Sequence, residues 1–188
     1  MTEPKGINKI RGELLVVTNM YPSESDGRYG IFVKKAHDLL SQRGLRAARI
    51  AAIRGKPSGA LGKIAAYLEM HLAAFIYSFE KKGRTVWLHY PSHGILPLIP
   101  ALLMGRIKLV INFHGSDLLG AGKNPLSLLL TRIAVHFASA SVVPSEFFRK
   151  EHQKRFGVNR KIIVFPSSGV DMGLFRPTSK EAARSKLG

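Results

Sequence analysis

Short apolar runs alternate with segments of helical periodicity along almost the whole chain. Six runs are rich in branched apolar side chains, which is typical of buried strands. They are residues 14–18, 46–53, 85–89, 107–113, 139–143 and 161–165. Because strands this apolar are separated by helical patterns, we predict a doubly wound, mostly parallel, Rossmann-like α/β sheet with helices on both faces.

Three of the intervening segments carry clear helix signals. Residues 31–42 place apolar side chains on one face, and Gly44 is a suitable stop. Asn124 precedes Pro125, which is the order of an N-cap residue and a first helical position. The apolar stripe predicted for this helix is formed by Leu126, Leu129, Leu130, Ile133 and Phe137. Ser145 is expected to cap another helix that runs toward Gly157.

The segment from residue 61 to residue 79 has two apolar stripes instead of one. The longer stripe is Leu61, Ile64, Ala65, Leu68, Leu72, Phe75, Ile76 and Phe79. The shorter stripe, on roughly the opposite side, is Ala66, Met70, Ala73 and Tyr77. Lys63, Glu69 and His71 argue against a transmembrane span. Either the helix is buried on both sides, which we favour, or its shorter stripe contacts a lipid or apolar acceptor beside Lys81 and Lys82.

Composition narrows the class of protein. The chain has 188 residues and ordinary apolar content, which suits one well-buried domain. It has no cysteine, which removes disulfides and thiol chemistry and fits a reducing compartment. The first residues carry charges and no apolar signal region. We therefore expect a cytoplasmic protein, with peripheral contact with the inner face of the membrane as a further hypothesis.

The formal net charge of +17 needs an explanation. Nucleic acid, an anionic membrane surface, an anionic substrate and a missing acidic partner are the alternatives. A nucleic-acid domain usually adds base-stacking aromatics or a groove-reading helix, and we find neither in the sequence. Charge alone therefore does not establish nucleic acid as a partner, and we do not expect one.

The loop after the first strand is a candidate anion site. It contains Gly27, Arg28 and Gly30 and leads directly into a helix. Glycines at a helix N-terminus let backbone N–H groups approach a phosphate, and the helix dipole favours its charge. The motif is neither a dinucleotide fingerprint nor a P-loop, so a flexible turn before a helix explains it as well.

Three histidines and an aspartate follow the third and fourth strands. His89 and His93 come after the third strand, and His114 and Asp117 come after the fourth. The carboxyl ends of parallel strands share one edge, where ligands of such sheets bind. The four side chains could bind a polar ligand such as a sugar, ligate a metal for hydrolysis, or bond the loop backbone. Pro91 weakens the metal hypothesis, because it disrupts a helical ligand pair at 89 and 93.

These loops, in this order, resemble the N-terminal half of the GT-B glycosyltransferases, specifically the retaining glycosyltransferase family 4. The resemblance covers nearly the whole chain, from about residue 14 to residue 177. The matching segments are VVTNMYPSESDGRYGIFVKKAHDLLSQRGL, WLHYPSHG, NFHGSDL, SVVPSEFFRK and IIVFPSSGVDMGLFRP. Individually each segment is modest, and their order and spacing make the match specific.

The resemblance implies an enzyme of two Rossmann-like domains with the active site between them. The first domain mainly binds the acceptor, which is a glycan, a lipid-linked sugar or a small molecule. Gly27 and Gly30 would approach the donor diphosphate, and His114 would lie beside the transferred sugar. Under the polar-ligand hypothesis given above, His89, His93, Asp117 and Arg28 would contact substrate. Such enzymes use the nucleotide-sugar as a substrate and need no metal or other cofactor.

The resemblance also implies that part of the enzyme lies outside this sequence. We expect residues 1–177 to form the acceptor-binding domain and residues 178–188 to begin a linker toward a C-terminal donor-binding domain. The family's paired glutamates and basic diphosphate-binding residues belong to that second domain. Stabilisation of the departing diphosphate is usually the largest catalytic contribution, so the isolated chain is expected to be nearly inactive. A basic binding module without catalysis and, less favoured, a metal-dependent hydrolase are the alternatives.

Overall fold

The computed structural model describes residues 12–120, 124–157, 161–166 and 177–187. Six parallel strands form one sheet in the order β2-β1-β3-β4-β5-β6. Their bounds are β1 Gly12–Tyr21, β2 Leu45–Arg54, β3 Arg84–His89, β4 Ile107–Asn112, β5 Ala138–Val143 and β6 Ile162–Val164. All six predicted strands are present, and the predicted parallel α/β fold is confirmed.

The helices cover the two faces of the sheet unequally. Side chains alternate across each strand, so Leu14 and Val16 pack against Val33 of α1, whereas Leu15 and Val17 pack against the layer that contains α2, α4 and α6. The helices are α1 Ile31–Gln42, α2 Gly59–Glu80, α3 Pro91–Gly94, α4 Ile99–Leu103, α5 Ser116–Leu119, α6 Pro125–Phe137, α7 Glu146–Phe156 and α8 Lys180–Leu187. A single 3₁₀ turn, Leu96–Leu98, precedes α4.

The predicted helix caps are confirmed. The side-chain oxygen of Asn124 accepts hydrogen bonds from the backbone N–H groups of Leu126 and Ser127 at 3.0 and 3.3 Å. Ser145 Oγ accepts from the backbone N–H of Phe148 at 3.5 Å. Each cap satisfies donors that the first turn of a helix leaves unpaired.

The buried face of α6 differs from the predicted stripe. Leu126 and Leu129 are 58% and 54% exposed, whereas Leu130 is buried and Ile133 and Phe137 pack against the core as predicted. Three further residues of the helix are buried: Thr131, Ala134 and Val135. The prediction followed the leucines, and the observed buried face is rotated from the predicted stripe by about one residue position. Smaller side chains at 131 and 134 allow close packing on the sheet, so the helix turns that face inward.

The orientation of α2 requires a larger correction. Met70 and Ala74 are buried against the sheet, whereas Leu72 and Ile76 are 61% and 50% exposed. The shorter apolar stripe therefore faces the core and the longer one faces outward, so the favoured prediction of burial on both sides is wrong for the longer stripe, and the alternative assigned the contact surface to the wrong stripe. Met70 cannot contact a lipid surface because only 2% of it is exposed.

The physical reason is the size of the inward side chains. Ala66, Ala73 and Ala74 present little volume on that side, so the helix backbone approaches the strands closely and Met70 fills the remaining gap. Tyr77, the other residue of the shorter stripe, is half-buried under the Arg49 guanidinium, which lies 5.3 Å from its ring centroid.

Two arginines from outside α2 cap its C-terminus by donating hydrogen bonds to backbone carbonyls of the last turn. Arg84 Nη1 donates to the Tyr77 carbonyl at 3.0 Å and to Glu80 Oε2 at 3.1 Å, and Arg106 Nη2 donates to the Phe79 carbonyl at 2.9 Å. These cations satisfy carbonyls that the last turn of a helix leaves unpaired and suit the negative end of its dipole. None of the described helices, α2 included, combines the length and apolarity of a membrane-spanning segment.

Part of the sequence resemblance lies outside the described residues. This is the case for residues 168–171 and 175–176, which belong to the last matching segment, IIVFPSSGVDMGLFRP. The predicted linker region contains α8, none of whose residues is buried. The boundary proposed at residue 177 stays a prediction.

The orientation of α2 can be tested by comparing two truncations to alanine. Met70→Ala should lower the free energy of unfolding by about 2–5 kcal/mol, because it leaves a cavity under the helix. Leu72→Ala should change it by less than about 0.5 kcal/mol, because that side chain faces outward. Urea denaturation of both variants measures the difference. An equal or larger loss for Leu72→Ala would mean that the longer stripe is the packed face.

Candidate active site

The loops after β1, β3 and β4 meet at the carboxyl edge of the sheet. β3 and β4 pair in parallel with His89 opposite Asn112, and His114 follows two residues after Asn112. Because side chains alternate along a strand, Asn112 and His114 lie on the same face, which is also the face of α1. This arrangement brings the predicted residues His89 and His114 into contact.

The two histidines form the centre of the site. His89 Nδ1 and His114 Nε2 are 2.8 Å apart, and the two ring planes are nearly parallel, at 17°, with centroids 5.1 Å apart. Asn112 Nδ2 lies 3.3 Å from the same His114 nitrogen. His89 is almost completely buried, and its other nitrogen, Nε2, has no hydrogen-bond partner among the described residues. His114 is partly exposed and is therefore the member of the pair that a ligand can reach.

Gly115 and Asp117 hold the loop that carries His114. Gly115 has φ +121°, which side chains other than glycine rarely adopt. The Asp117 carboxylate accepts from the backbone N–H groups of His114, Gly115 and Leu118, at 3.0, 2.8 and 3.0 Å to Oδ1. Asp117, predicted to contact substrate, is thus engaged with the backbone and orients the loop.

Aromatic rings enclose His114 on its other sides. The Phe32 ring of α1 lies 4.8 Å from it, and the Tyr90 ring stacks on it at 4.9 Å. Tyr90 has a left-handed backbone conformation with φ 57°, the only positive φ outside glycine among the described residues. Such strain concentrates at functional sites and is held here by the packed loop. The ring of His114 is therefore fixed in orientation before any ligand arrives.

The two predicted phosphate-binding glycines have different environments. Gly27 is exposed with open space around it, and Arg28 beside it is exposed too. Gly30 is buried as the N-cap of α1 with φ +68°, and a Cβ there would lie 2.4 Å from the Met20 backbone. Close chain packing alone thus requires a glycine at position 30. The first turn of α1 carries no acidic residue, so its dipole is available to an anion.

A small pocket lies on the other side of His89, between α2 and the ends of β1 and β3. His93 is at its exposed rim and Met70 is at its base. The pocket is lined by Val17, Thr18, Asn19, Tyr67, Met70, His89, Tyr90, Ser92, His93 and Gly94. Asn19 Nδ2 donates to the Tyr67 hydroxyl at 3.4 Å, and Asn19 Oδ1 has no partner among the described residues.

The remaining predicted contacts lie elsewhere. Lys81 and Lys82 follow the C-terminus of α2, at the opposite, amino edge of the sheet, where Lys81 Nζ pairs with Glu13 at 3.0 Å. They are about 16 Å along the helix from Met70. The structure therefore separates Tyr77, Lys81 and Lys82 from the histidines, and these residues cannot share one small ligand with them.

The possible metal ligands do not converge. Within the described ranges, no group of three or more His, Asp or Glu side chains could hold a metal ion. His89 and His114 bond to each other, and Asp117 points its oxygens at backbone N–H groups. The site instead offers hydrogen-bonding groups to a polar ligand.

Sequence reasoning missed five residues of the site: Asn19, Phe32, Tyr67, Tyr90 and Asn112. Asn112 could have been found, because it lies two positions before His114 on a predicted strand and must share its face. Tyr90 could have been suspected from its place directly after a strand. Asn19 and Tyr67 meet only through the packing of α2 on β1, and no local pattern indicates that contact.

Comparison with known proteins gives a family match over most of the chain. A family model described as Glycosyltransferase Family 4 matches residues 16–173, which is most of the chain and runs from β1 to beyond β6. No curated protein matches the chain.

Burial controls the charge of the site. It lowers the pKa of His114 to about 4 and that of His89 well below its usual range, so both rings are neutral near pH 7. Burial raises the pKa of Asp117 to about 6, against the opposing effect of the backbone N–H groups that it binds. His152, the buried residue of α7, contacts Ser141 of β5, and burial likewise lowers its pKa to about 4.

These shifts predict that acid destabilises the fold. A histidine with a lowered pKa takes up its proton in the unfolded chain first, so stability should fall as the pH drops from about 6.5 toward 4. Asp117 opposes this, because its raised pKa lets the folded state take up a proton first, yet three histidines outweigh one carboxyl. Urea unfolding between pH 4 and pH 7 measures the slope. His152→Gln should flatten it, and an unchanged slope in that variant would contradict the assignment.

Proposed function

The chain belongs to glycosyltransferase family 4, and from this premise we propose that it is the acceptor-binding domain of a retaining sugar transferase. The enzyme would move a sugar from a nucleotide-sugar donor to a glycan, lipid-linked or small-molecule acceptor. The observation that carries the proposal is the neutral, oriented His114 at the carboxyl edge of the sheet, next to the N-terminus of α1.

His114 suits a position beside the transferred sugar. Its ring is enclosed by Phe32, Tyr90 and His89 on its sides and still reaches solvent. A neutral imidazole offers a hydrogen bond to a sugar hydroxyl without adding a charge to a site where an oxocarbenium-like centre develops. Fixed ring orientation means that little reorganisation is needed when the sugar binds.

The donor phosphates are assigned to the neighbouring loop. Exposed Gly27 and Arg28, with the positive end of the α1 dipole behind them, form a suitable surface for a diphosphate. Most of the donor site, and the cations that stabilise the departing diphosphate, would belong to a second domain. Without it, the chain should bind acceptor and transfer sugar very slowly.

The outer face of α2 supports peripheral contact with an anionic bilayer. Six large apolar side chains of this helix are exposed in a row: Leu61, Ile64, Leu68, Leu72, Phe75 and Ile76. Leu103 at the end of α4, Met104 directly after it, and Leu126 and Leu129 of α6 add exposed apolar surface on the same side of the sheet. Exposed basic residues, Lys56 before the helix and Lys82 after it, flank this row. An apolar face between cations matches lipid tails beneath anionic headgroups.

Replacement of His114 tests the catalytic proposal. In the polypeptide that joins this chain to its donor-binding domain, His114→Ala should lower kcat/KM for sugar transfer about a hundredfold, because an oriented hydrogen bond to the reacting sugar is lost. His136→Ala, at an exposed position on α6, is the matched control and should have no effect. Near-normal turnover of His114→Ala in a folded protein would remove this residue from the mechanism.

Vesicle flotation tests the membrane proposal. Leu72→Gln combined with Ile76→Gln should weaken partitioning onto anionic vesicles about tenfold or more, because two apolar side chains no longer enter the bilayer. Leu39→Gln, on α1 at the other face of the sheet, is the matched control. Lys81→Glu with Lys82→Glu should also weaken partitioning, and added salt should do the same to the wild type.

Two outcomes would contradict the membrane proposal. One is unchanged partitioning of the Leu72→Gln, Ile76→Gln variant. The other is tight, steeply salt-dependent binding of duplex DNA with no binding of anionic vesicles, which would point to the nucleic-acid alternative.

A further inference from the structure

The backbone of the His114 loop, residues 114–119, is hydrogen-bonded mainly to itself. Three of its N–H groups donate to the Asp117 carboxylate, and the single turn of α5 closes on its own carbonyls. The apolar side chains of Phe113 and Leu118 anchor the loop in the core. Apolar burial is not directional, so these two anchors keep the loop against the sheet without fixing the direction of its backbone.

A residue of another helix bonds to this backbone. Arg155 Nη1, in the last turn of α7, donates to the carbonyl oxygen of Leu118 and lies 3.4 Å from that of Leu119. Its two hydrogens serve both carbonyls, which are at the C-terminal end of α5, where intrahelical donors run out. Among the described residues, these are the only hydrogen bonds between the backbone of the His114 loop and another helix or strand.

The rest of the inner face of α7 contacts the same segment. The spacing of four residues places them on one side of the helix, namely Phe148, His152, Arg155 and Phe156. The ring centroids of His152 and Phe156 lie 5.4 and 6.4 Å from that of Phe113. A Cβ at Gly115 would lie 3.2 Å from the ring of Phe148. The inner face of α7 is therefore the surface on which the His114 loop lies.

The dipole of α7 offers a simpler explanation for a cation at position 155. It favours any positive charge in the last turn, and exposed Lys154 is there as well. The dipole does not explain why the guanidinium of Arg155 is directed at α5. Glu151, one turn earlier, lies 3.6 Å from Arg155 Nε, so the guanidinium is held between this carboxylate and the α5 carbonyls.

We propose that Arg155 is a positioning residue, which fixes the orientation of the His114 loop through its hydrogen bonds to the end of α5. The loop is then held at both ends, by Asp117 at its beginning and by Arg155 at its end. His114 owes its place at the carboxyl edge to both contacts. The consequence for sugar transfer rests on the proposed function, whereas the restraint on the loop does not.

Backbone order in the 188-residue chain tests the restraint, with ¹⁵N relaxation as the measurement. Arg155→Met keeps the length of the side chain and removes its donors. The order parameters of residues 114–119 should fall from about 0.85 toward about 0.6, and those of β4 should stay near about 0.85. A residue that contributes only to global stability would leave the order of the folded state unchanged. Unchanged values in the loop, or an equal fall in β4, would overturn the proposal.

Two matched controls separate this role from charge and from ion pairing. Lys154→Met removes the other cation from the same turn of α7. Arg149→Met makes the same chemical change on the same helix, where the guanidinium pairs with Glu146 at 3.4 Å. Both variants should keep the order parameters of the loop at wild-type values. A fall in either that matches Arg155→Met would assign the effect to α7 as a whole and would contradict a specific role of Arg155.

Arg155→Lys covers the case in which Arg155→Met fails to fold. Lysine keeps the charge, but its ammonium ends one bond short of Nη1, so it reaches the two carbonyls less well. The order parameters of residues 114–119 should fall by a smaller amount than in Arg155→Met, again with β4 unchanged. Wild-type values in the loop, or a parallel fall in β4, would count against the proposal.

A double-mutant cycle tests whether Arg155 acts through His114 in sugar transfer. In the polypeptide that joins this chain to its donor-binding domain, Arg155→Met should lower kcat about tenfold and change the donor KM less than about twofold, because the oriented ring is lost in the transition state. In the His114→Ala background it should have no further effect, because residues that act as a unit are not additive. A further tenfold loss there would mean that Arg155 acts independently of His114.

Failure of this proposal is distinguishable from failure of the proposed function. Near-normal turnover of His114→Ala would remove His114 from the mechanism. The order parameters would still decide whether Arg155 positions the loop, because they are measured without donor, acceptor or sugar transfer.

Discussion

The register between β3 and β4 is the constraint on which the site depends. His89 lies opposite Asn112, so His89 and His114 converge on one face while Leu88 and Ile111 fill the core on the other. A slip by one residue would turn every side chain of a strand to the opposite face and would bury polar groups among the apolar ones. Burial of the apolar side chains thus fixes the position of the polar ones. The histidine contact is a by-product of a well-packed core.

The sequence was sufficient for the periodic elements and insufficient for the orientation of the helices. The six strands and α1 follow from branched apolar runs and a single stripe, which leave few alternatives. On α2, both stripes are apolar, and hydrophobicity therefore does not determine which one packs. The choice is made by volume, because Ala73 and Ala74 allow a close approach that leucines would prevent. Volume complementarity depends on both of the surfaces that pack together, so it cannot be predicted from either sequence segment alone.

In the candidate site too, some features are predictable from the sequence and others depend on tertiary packing. The topology alone predicts that His89 and His114 share an edge of the sheet. The family resemblance of their loops is likewise visible in the sequence. The Asp117 carboxylate binds backbone N–H groups, and Lys81 lies at the opposite edge of the sheet. Both facts depend on the conformation of the loops and the packing of α2, which the spacing of residues in the sequence does not determine. Lys81 and Lys82 are accordingly separate from the neutral histidines.

The capping of α2 by Arg84 and Arg106 has a consequence for the order of folding. The Tyr77 and Phe79 carbonyls accept hydrogen bonds from Arg84 of β3 and from Arg106 in the turn before β4, so they bond to water until both segments have docked. The helix can therefore nucleate early, but its last turn completes late, as a long-range event. The last turn of α2 is therefore complete only when the central strands have assembled. Formation of the whole helix thus depends on tertiary structure.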